Sequence, residues 1–211
     1  MSRHKEFSPD VVLEQAMLVF WEQGFAAAST SELSTRMGIG KRSMYDTFGD
    51  KRELYIASLR HYIGTTDSER DRAASQADSL QEALIAVLGD HPSKTPRPAG
   101  CFATTAAAIA PAGDDEIRSL VEDHIERGRK RIATQLLRFT AASAASAADI
   151  ARLAQDTVMG LRVRARAGLT RPRRCRNLGR YGRRDGRPIL TPPSSGATHI
   201  SAVRRERRSR S

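Results

Sequence analysis

A cluster of hydrogen-bond donors occupies one short segment near the start of this 211-residue chain. Its members are Lys41, Arg42, Ser43, Tyr45 and Thr47. Ammonium, guanidinium and hydroxyl groups donate hydrogen bonds to phosphate oxygens and base edges, whereas an ordinary solvent-facing helix carries mixed Glu and Lys. Asp46 lies among them, and its carboxylate repels phosphate but can accept a hydrogen bond from the amino group of a cytosine. The residue types of this segment therefore indicate contact with nucleic acid.

Two short predicted helices joined by a tight turn position this segment. Ser29 is the predicted N-cap of the first of these two helices, with capping-box spacing to Glu32, and Gly38 ends that helix. The second of the two runs over residues 41–48 with Met44 on its inner face. Glycine at the turn supplies the positive φ that other residues rarely adopt. An ordinary helical hairpin within an all-α core is the alternative, and the donor-rich outer face favours a helix-turn-helix instead.

The rest of the chain also has helical periodicity. A first helix is predicted over about residues 9–23, and Asp50 caps a fourth that runs from about Lys51 toward residue 72. Later helices are predicted over 80–88, over 102–110, through Ile117 to Leu136 and over about 147–167, the last capped by Ser146 and Asp149, with a proline-rich connection over 90–100. The inner stripe of the 117–136 helix includes His124, and the apolar positions of the final helix are Ile150, Leu153, Ala154, Thr157, Val158 and Leu161. No strand is predicted, so the fold class is all-α.

The run from Gly38 to Leu54 resembles the signature of the TetR family of bacterial transcriptional regulators, as do Gly24-Phe25 and the Ser/Thr-rich start of the second helix. The resemblance covers about residues 8–60, and Gly100-Cys101-Phe102 resembles a regulatory-domain feature of some members. It implies a three-helix helix-turn-helix DNA-binding domain followed by a helical ligand-binding and dimerisation bundle. It further implies a homodimeric repressor that an unknown small-molecule effector releases from a double-stranded DNA operator.

The resemblance also implies roles for individual residues. Thr30 matches a phosphate-contacting position, Tyr45 matches a tyrosine that touches the backbone or a thymine methyl, and Lys51 matches a phosphate contact at a helix N-terminus. The predicted DNA-binding residues are Thr30, Gly40, Lys41, Arg42, Ser43, Tyr45, Asp46, Thr47 and Lys51. Arg42, Asp46 and Thr47 depart from the residues common in the family, so the operator sequence is expected to differ from those of its relatives.

The domains predicted on this basis are a DNA-binding domain over 1–50, a connecting helix over 51–74, a regulatory domain over 75–167 and an Arg-rich, disordered tail over 168–211. The net charge of +11 lies entirely in residues 169–211, which hold 13 Arg against Asp185 and Glu206. The final amphipathic helix that the family uses for dimerisation is missing there. A shift of reading frame near codon 168 of a GC-rich gene is one explanation, and a genuine basic tail that adds non-specific affinity is the other.

That missing helix leaves an alternative function open: a damaged or dimerisation-deficient regulator whose Arg-rich tail gives only non-specific nucleic-acid binding. Catalysis, a cofactor and a metal site are not predicted, because no nucleophile elbow, phosphate-cradling loop or metal-ligand spacing occurs. Cys101 is interpreted as buried packing rather than a thiol sensor, and Asp114-Asp115-Glu116 as acidic residues of a helix's first turn. The chain has neither a signal-peptide segment nor an apolar run near 18 residues, so a cytoplasmic protein with no membrane contact is expected.

Overall fold

A computed structural model describes residues 8–89, 96–109 and 114–169 of the chain. Within these ranges the protein is helical and contains no strand, which confirms the all-α prediction. The predicted disordered tail beyond residue 169 and most of the 90–100 connection lie outside the described residues. The helices are α1 (Pro9–Ala27), α2 (Thr30–Met37), α3 (Lys41–Phe48), α4 (Lys51–Ser75), α5 (Leu80–Leu88), α6 (Phe102–Ile109), α7 (Asp115–Phe139) and α8 (Ala144–Arg166).

Local hydrogen bonds fix the starts of the helices near the predicted caps. The Ser29 hydroxyl accepts from the Glu32 backbone N–H at 3.1 Å, which satisfies one of the free donors in the first turn of α2. At the start of α4 the capping box is complete: the Asp50 carboxylate accepts from the Glu53 N–H at 2.9 Å, and the Glu53 carboxylate accepts from the Asp50 N–H at 3.0 Å. The α3–α4 junction is therefore set by residues close together in the sequence.

The first helix breaks at Gly24 as predicted, since φ 82° and ψ 169° are non-helical there, and helical structure resumes after the kink and continues to Ala27. The last helix begins earlier than predicted, since Ser143 rather than Ser146 is its N-cap and accepts from the Ser146 N–H at 3.2 Å. Both serines have cap chemistry, and the alanines between them favour helix, so the earlier serine becomes the cap.

The larger apolar core joins the first helices to α6 and α7. Aromatic rings form its centre: Phe20 meets Tyr55 edge to face at 5.0 Å, and Trp21 meets Tyr62 in the same way at 5.1 Å. Phe102, at the start of α6, is fully buried between Tyr55 and Tyr62. Because each ring buries a large apolar surface, this cluster fixes α6 against α1 and α4. The predicted domain boundaries stay predictions.

A second core packs the end of α4 with α5, α7 and α8. Its buried members are Ala74, Ala86, Val87, Ile132, Leu136, Ala147 and Ala151. Gly128 of α7 faces Gln155 of α8, and a Cβ atom at position 128 would lie 2.9 Å from the Gln155 amide nitrogen. Glycine at this position therefore allows α7 and α8 to pack closely.

Two different faces of α8 carry apolar or small residues. Ala147, Ala151 and Gln155 are buried in the second core. By contrast, Leu153 is 70% exposed and Leu161 is 51% exposed, and both belong to the stripe that periodicity marks as apolar. The predicted apolar stripe of this helix therefore faces outward from the single chain.

The end of α8 contacts the end of α1. The Arg166 guanidinium donates to the backbone oxygens of Trp21 at 2.6 Å and of Glu22 at 2.8 Å, which lie in the turn before the Gly24 kink. Beyond Arg166 the helix closes with backbone hydrogen bonds from the N–H groups of Gly168 and Leu169. The described parts of the chain include no helix long and apolar enough to cross a membrane.

Candidate nucleic-acid interface

The turn between α2 and α3 is built around Gly38. Its φ of 69° lies in the left-handed region, where an L side chain is strained. The Gly38 N–H donates to the Thr35 oxygen and the Ile39 N–H donates to the Ser34 oxygen, each at 3.2 Å, and the Ser34 hydroxyl in turn donates to the Ile39 oxygen. These bonds close α2 and set the angle at which the chain enters α3.

One side of α3 is anchored in the protein and the other faces solvent. Met44 is 1% exposed and Phe48 is half-buried, so the predicted inner face of α3 is confirmed. All six predicted DNA-binding residues on this helix are exposed: Lys41, Arg42, Ser43, Tyr45, Asp46 and Thr47. Because Met44 packs in the core with Leu33 and Met37 of α2, the outer face of α3 is held in a fixed orientation.

Arg42 and Asp46 form an ion pair one helical turn apart, with Nε 3.7 Å from the carboxylate oxygen. Their side chains are 94% and 69% exposed, so water screens the pair and it stabilises the helix by less than about 1 kcal/mol. The pair is therefore weak enough for either group to exchange its partner for a phosphate or a base. The N-terminus of α3 bears Gly40 as its N-cap and has no acidic residue in its first turn.

The two flanking positions lie at helix N-termini. Thr30 is the first residue of α2 and is half-buried, and Lys51 is the first residue of α4. The Lys51 ammonium lies 4.7 Å from the centre of the Phe25 ring, a cation–π contact that restrains the side chain beside the DNA-facing helices. The roles of all nine predicted residues in binding DNA stay predictions.

A link between the start of α4 and α7 was not found from the sequence. The Arg52 guanidinium donates two hydrogen bonds, both 2.9 Å long, to the Asp114 carboxylate, and also contacts Glu116. Arg52 and the backbone N–H of Ile117 lower the pKa of Asp114 by stabilising its charged form, Arg52 having the larger effect. Since Asp114 also caps α7, the acidic run at 114–116 joins the DNA-facing part of the chain to α7.

The arrangement of α2, the Gly38 turn and an anchored α3 with an exposed donor face defines a helix-turn-helix DNA-binding protein. Residues 12–57 match the sequence family described as bacterial regulatory proteins, tetR family. A cysteine mutant of the TetR family transcriptional regulator CifR, solved in complex with 26-bp double-strand operator DNA, is 26% identical to this chain. Its TM-score is 0.63, over 80% of this chain and 92% of CifR.

Curated relatives are regulators as well. The chain is 27% identical to the HTH-type transcriptional repressor BdcR of Escherichia coli (strain K12) over 79% of its own length and 83% of that protein. It is 33% identical to the uncharacterized HTH-type transcriptional regulator YezE of Bacillus subtilis (strain 168), but over only 40% of its own length and 43% of YezE. The family match over residues 12–57 and these relatives support a TetR-family transcriptional regulator, a non-enzymatic class of transcription factor.

Proposed function

We propose that this protein is a ligand-responsive repressor that binds a double-stranded DNA operator as a homodimer. The observation that carries the proposal is the division of α3 into a buried face at Met44 and an outer face of six exposed polar residues. An α-helix held in this way can enter the major groove and present donors to base edges. BdcR, named as a repressor, and CifR, solved with operator DNA, support the same function. A bacterial operator requires a cytoplasmic location.

The exposed stripe of α8 supports dimerisation. Ile150 and Leu153 lie one turn apart, Leu161 follows two turns later on the same face, and all three are about half exposed or more. Operator half-sites are read by two recognition helices at a fixed separation, so a helix-turn-helix protein of this kind needs a partner subunit. We propose that this stripe packs against the same stripe of a second copy.

A cavity of about 230 Å³ supports an effector site. It lies between α6 and α8, and its walls include Cys101, Thr104, Val163 and Arg166. Arg166 is the residue that donates to the α1 carbonyl groups of Trp21 and Glu22, so an occupant of the cavity can act on α1 directly. An effector shifts the protein away from its DNA-binding state only if it binds the other state more tightly.

The experiment that tests DNA recognition is fluorescence anisotropy of the full chain on the DNA upstream of its own gene and on a scrambled duplex, over a series of salt concentrations. We expect a clear preference for the native fragment. Lys41→Ala and Tyr45→Ala should each abolish that preference. Lys130→Ala removes the same charge from an exposed position of α7 and serves as the matched control.

A second candidate function rests on the 13 arginines of residues 169–211. If the chain does not dimerise, these arginines give only non-specific binding to nucleic acid. The native and scrambled duplexes would then bind equally and with a steep dependence on salt, since each phosphate contact releases counterions. That outcome would refute the repressor proposal. Translation of the other two reading frames downstream of codon 168 tests the frameshift hypothesis, which requires an amphipathic helix in one of them.

A further inference from the structure

Cys101 lies in a polar environment although it is 3% exposed. The Tyr62 hydroxyl donates to the Cys101 sulfur at 3.4 Å, and the His124 ring of α7 lies edge to face with the Tyr62 ring at 6.5 Å. A cysteine that only fills space in a core lies among apolar side chains. Cys101 is buried in the larger core, as the packing interpretation predicts, but packing alone does not account for the polar groups at its sulfur.

His124 is in turn held by a carboxylate. Its Nδ1 atom lies 3.1 Å from an Asp67 oxygen, although the N–H does not point straight at that oxygen. Asp67 also accepts hydrogen bonds from Arg127 at 2.9 Å and from Arg131 at 3.0 Å, so its position on α4 is fixed from α7. Cysteine, histidine and aspartate thus follow one another in the order that activates a nucleophile.

Positive charge surrounds the sulfur from two further directions. Arg70 of α4 is 6% exposed and interacts electrostatically with Cys101, and its Nε has no hydrogen-bond partner among the described residues. Arg162 of α8 acts on Cys101 in the same way. A buried guanidinium group needs a nearby anion, so Arg70 favours a negative charge at this site.

The pKa values agree with this geometry. Burial acts to raise the pKa of the Cys101 thiol, but the hydrogen bond from His124 and the charge of Arg162 outweigh it and lower the pKa to about 6. For His124, burial acts to lower the pKa, and the Asp67 carboxylate and Cys101 outweigh it and raise the pKa. Both shifts favour the form in which Cys101 is a thiolate and His124 an imidazolium, and the thiolate is the nucleophilic form of cysteine.

The thiolate is accessible to a small molecule through the cavity between α6 and α8, since Cys101 forms part of its wall. The volume of about 230 Å³ lies below the range that drug-sized ligands occupy, so the cavity suits a molecule of few atoms. Arg162 and Arg166 also line it and can hydrogen-bond a carbonyl oxygen.

We propose that Cys101 captures a small α,β-unsaturated carbonyl compound covalently in this cavity, with His124 and Asp67 as positioning residues. The thiolate sulfur forms a bond to the β-carbon, and the electron pair of the carbon–carbon double bond moves to the carbonyl oxygen to give an enolate. A solvent water then gives a proton to the α-carbon, and the hydroxide that remains takes a proton from His124. Nothing leaves and no oxidant is needed, so the protein gains the mass of one molecule of the electrophile.

The adduct is also the effector signal, a step that rests on the proposed repressor function. Alkylation converts the thiolate into a neutral thioether, and Arg70 and Arg162 lose the negative charge of Cys101 with which they interact. The resulting repulsion acts on α4 and α8, while the adduct fills the space beside Arg166, and Phe102 directly follows the modified cysteine in the chain. Both residues contact α1, and Phe102 lies against Trp21. The change therefore reaches the helices that support α3.

The first test treats the full chain at neutral pH with one equivalent of methyl vinyl ketone and measures its intact mass and modified peptide. Cys175 is the second thiol of the sequence and provides the matched control. We expect a single adduct on Cys101 that persists in Cys175→Ser and is lost in Cys101→Ser. Preferential modification of Cys175, or an unmodified Cys101, would overturn the proposal.

The second test measures the pH dependence of the alkylation rate in Cys175→Ser with and without His124→Gln. The protein that retains His124 should give an apparent pKa near 6 for the Cys101 thiol. If the variant thiol returns to its ordinary pKa of 9.0, its rate at pH 6 falls about twentyfold, because the loss of thiolate outweighs its greater nucleophilicity. At pH 9 the order of the two rates reverses. Asp67→Asn should change the profile in the same direction, and identical profiles would refute the positioning roles.

The third test follows operator binding before and after alkylation. Stoichiometric modification of Cys101 should release the DNA, and Cys101→Asp, which keeps a negative charge, should bind DNA but ignore the ketone. An adduct that leaves the DNA bound would overturn the regulatory part of the proposal. If the unmodified chain shows no operator preference, the repressor function fails instead, and the mass and pH measurements still decide whether Cys101 is a capture site.

Discussion

The outward stripe of α8 makes a quantitative prediction about assembly. Leu153 is 70% exposed in the single chain, and its complete burial would be worth about 2 kcal/mol, so a dimer interface gains about 1.4 kcal/mol from this side chain. A twofold axis uses the residue once in each subunit. Leu153→Ala should therefore weaken dimerisation by about 2–3 kcal/mol, which is roughly a 30- to 150-fold increase in the dimer Kd.

Sedimentation equilibrium over a range of protein concentrations measures this change directly. Arg152→Ala is the matched control, because Arg152 is exposed on the same helix but lies off the stripe. Thermal unfolding of Arg152→Ala should stay close to that of the wild-type protein, whereas Leu153→Ala should lower the melting temperature at concentrations where the wild type is a dimer, since dimerisation stabilises the folded state.

The interface assignment would be refuted if Leu153→Ala and Arg152→Ala gave the same monomer–dimer equilibrium as the wild-type chain. A wild-type chain that is monomeric at all accessible concentrations would refute dimerisation itself. In that case the dimerisation-deficient alternative would be the better account of the protein.

Three further predictions concern stability. Gly38→Ala should lower the free energy of unfolding by about 1 kcal/mol in urea denaturation, since alanine is strained at a φ of 69°; an unchanged midpoint would contradict the turn geometry. Asp67→Asn should cost about 2 kcal/mol, and clearly more than the exposed control Asp71→Asn, because it leaves the buried His124 ring without its carboxylate partner. Burial alone would raise the pKa of Asp67, but its hydrogen-bonded partners outweigh burial and lower the pKa. The stabilisation by the charged Asp67 carboxylate is therefore complete well above pH 3.8 and is lost as the pH falls toward the folded-state pKa. Calorimetry at pH 5 and 8 should therefore give similar losses for Asp67→Asn, and a loss confined to pH 8 would contradict the assignment. Arg166→Ala should lower stability by about 1 kcal/mol, as two carbonyl groups of α1 lose their donor, and equal melting temperatures would argue against that contact.

Much of the candidate DNA-binding site follows from local sequence signals. The caps at Ser29 and Asp50 act on backbone groups three residues away, so their effect can be recognised without a fold. The two faces of α3 follow from its helical period once Met44 is taken as the inward residue. The predicted start of α8 was wrong, because Ser143 and Ser146 both have cap chemistry and the alanines between them extend the helix back to the earlier serine.

The contacts that join distant parts of the chain could not be predicted. Arg52 and Asp114 are 62 residues apart, and Cys101 is 39 residues from Tyr62. His124 falls on the inner stripe of its helix by periodicity, which indicates burial but not what it touches. Only the packing of α4, α6 and α7 brings these side chains together, and a single sequence contains no signal for that packing.

The hydrogen bonds of Arg166 to α1 bear on how the gene tolerates mutation. Arg166 is the last residue of α8, and its two hydrogen bonds to the carbonyl groups of Trp21 and Glu22 link that helix to α1. A stop codon one helical turn upstream removes the arginine and its link to α1, whereas a stop codon just downstream leaves that link intact. Nonsense variants should thus change in phenotype within a few codons, at the place where the amino-acid composition itself changes.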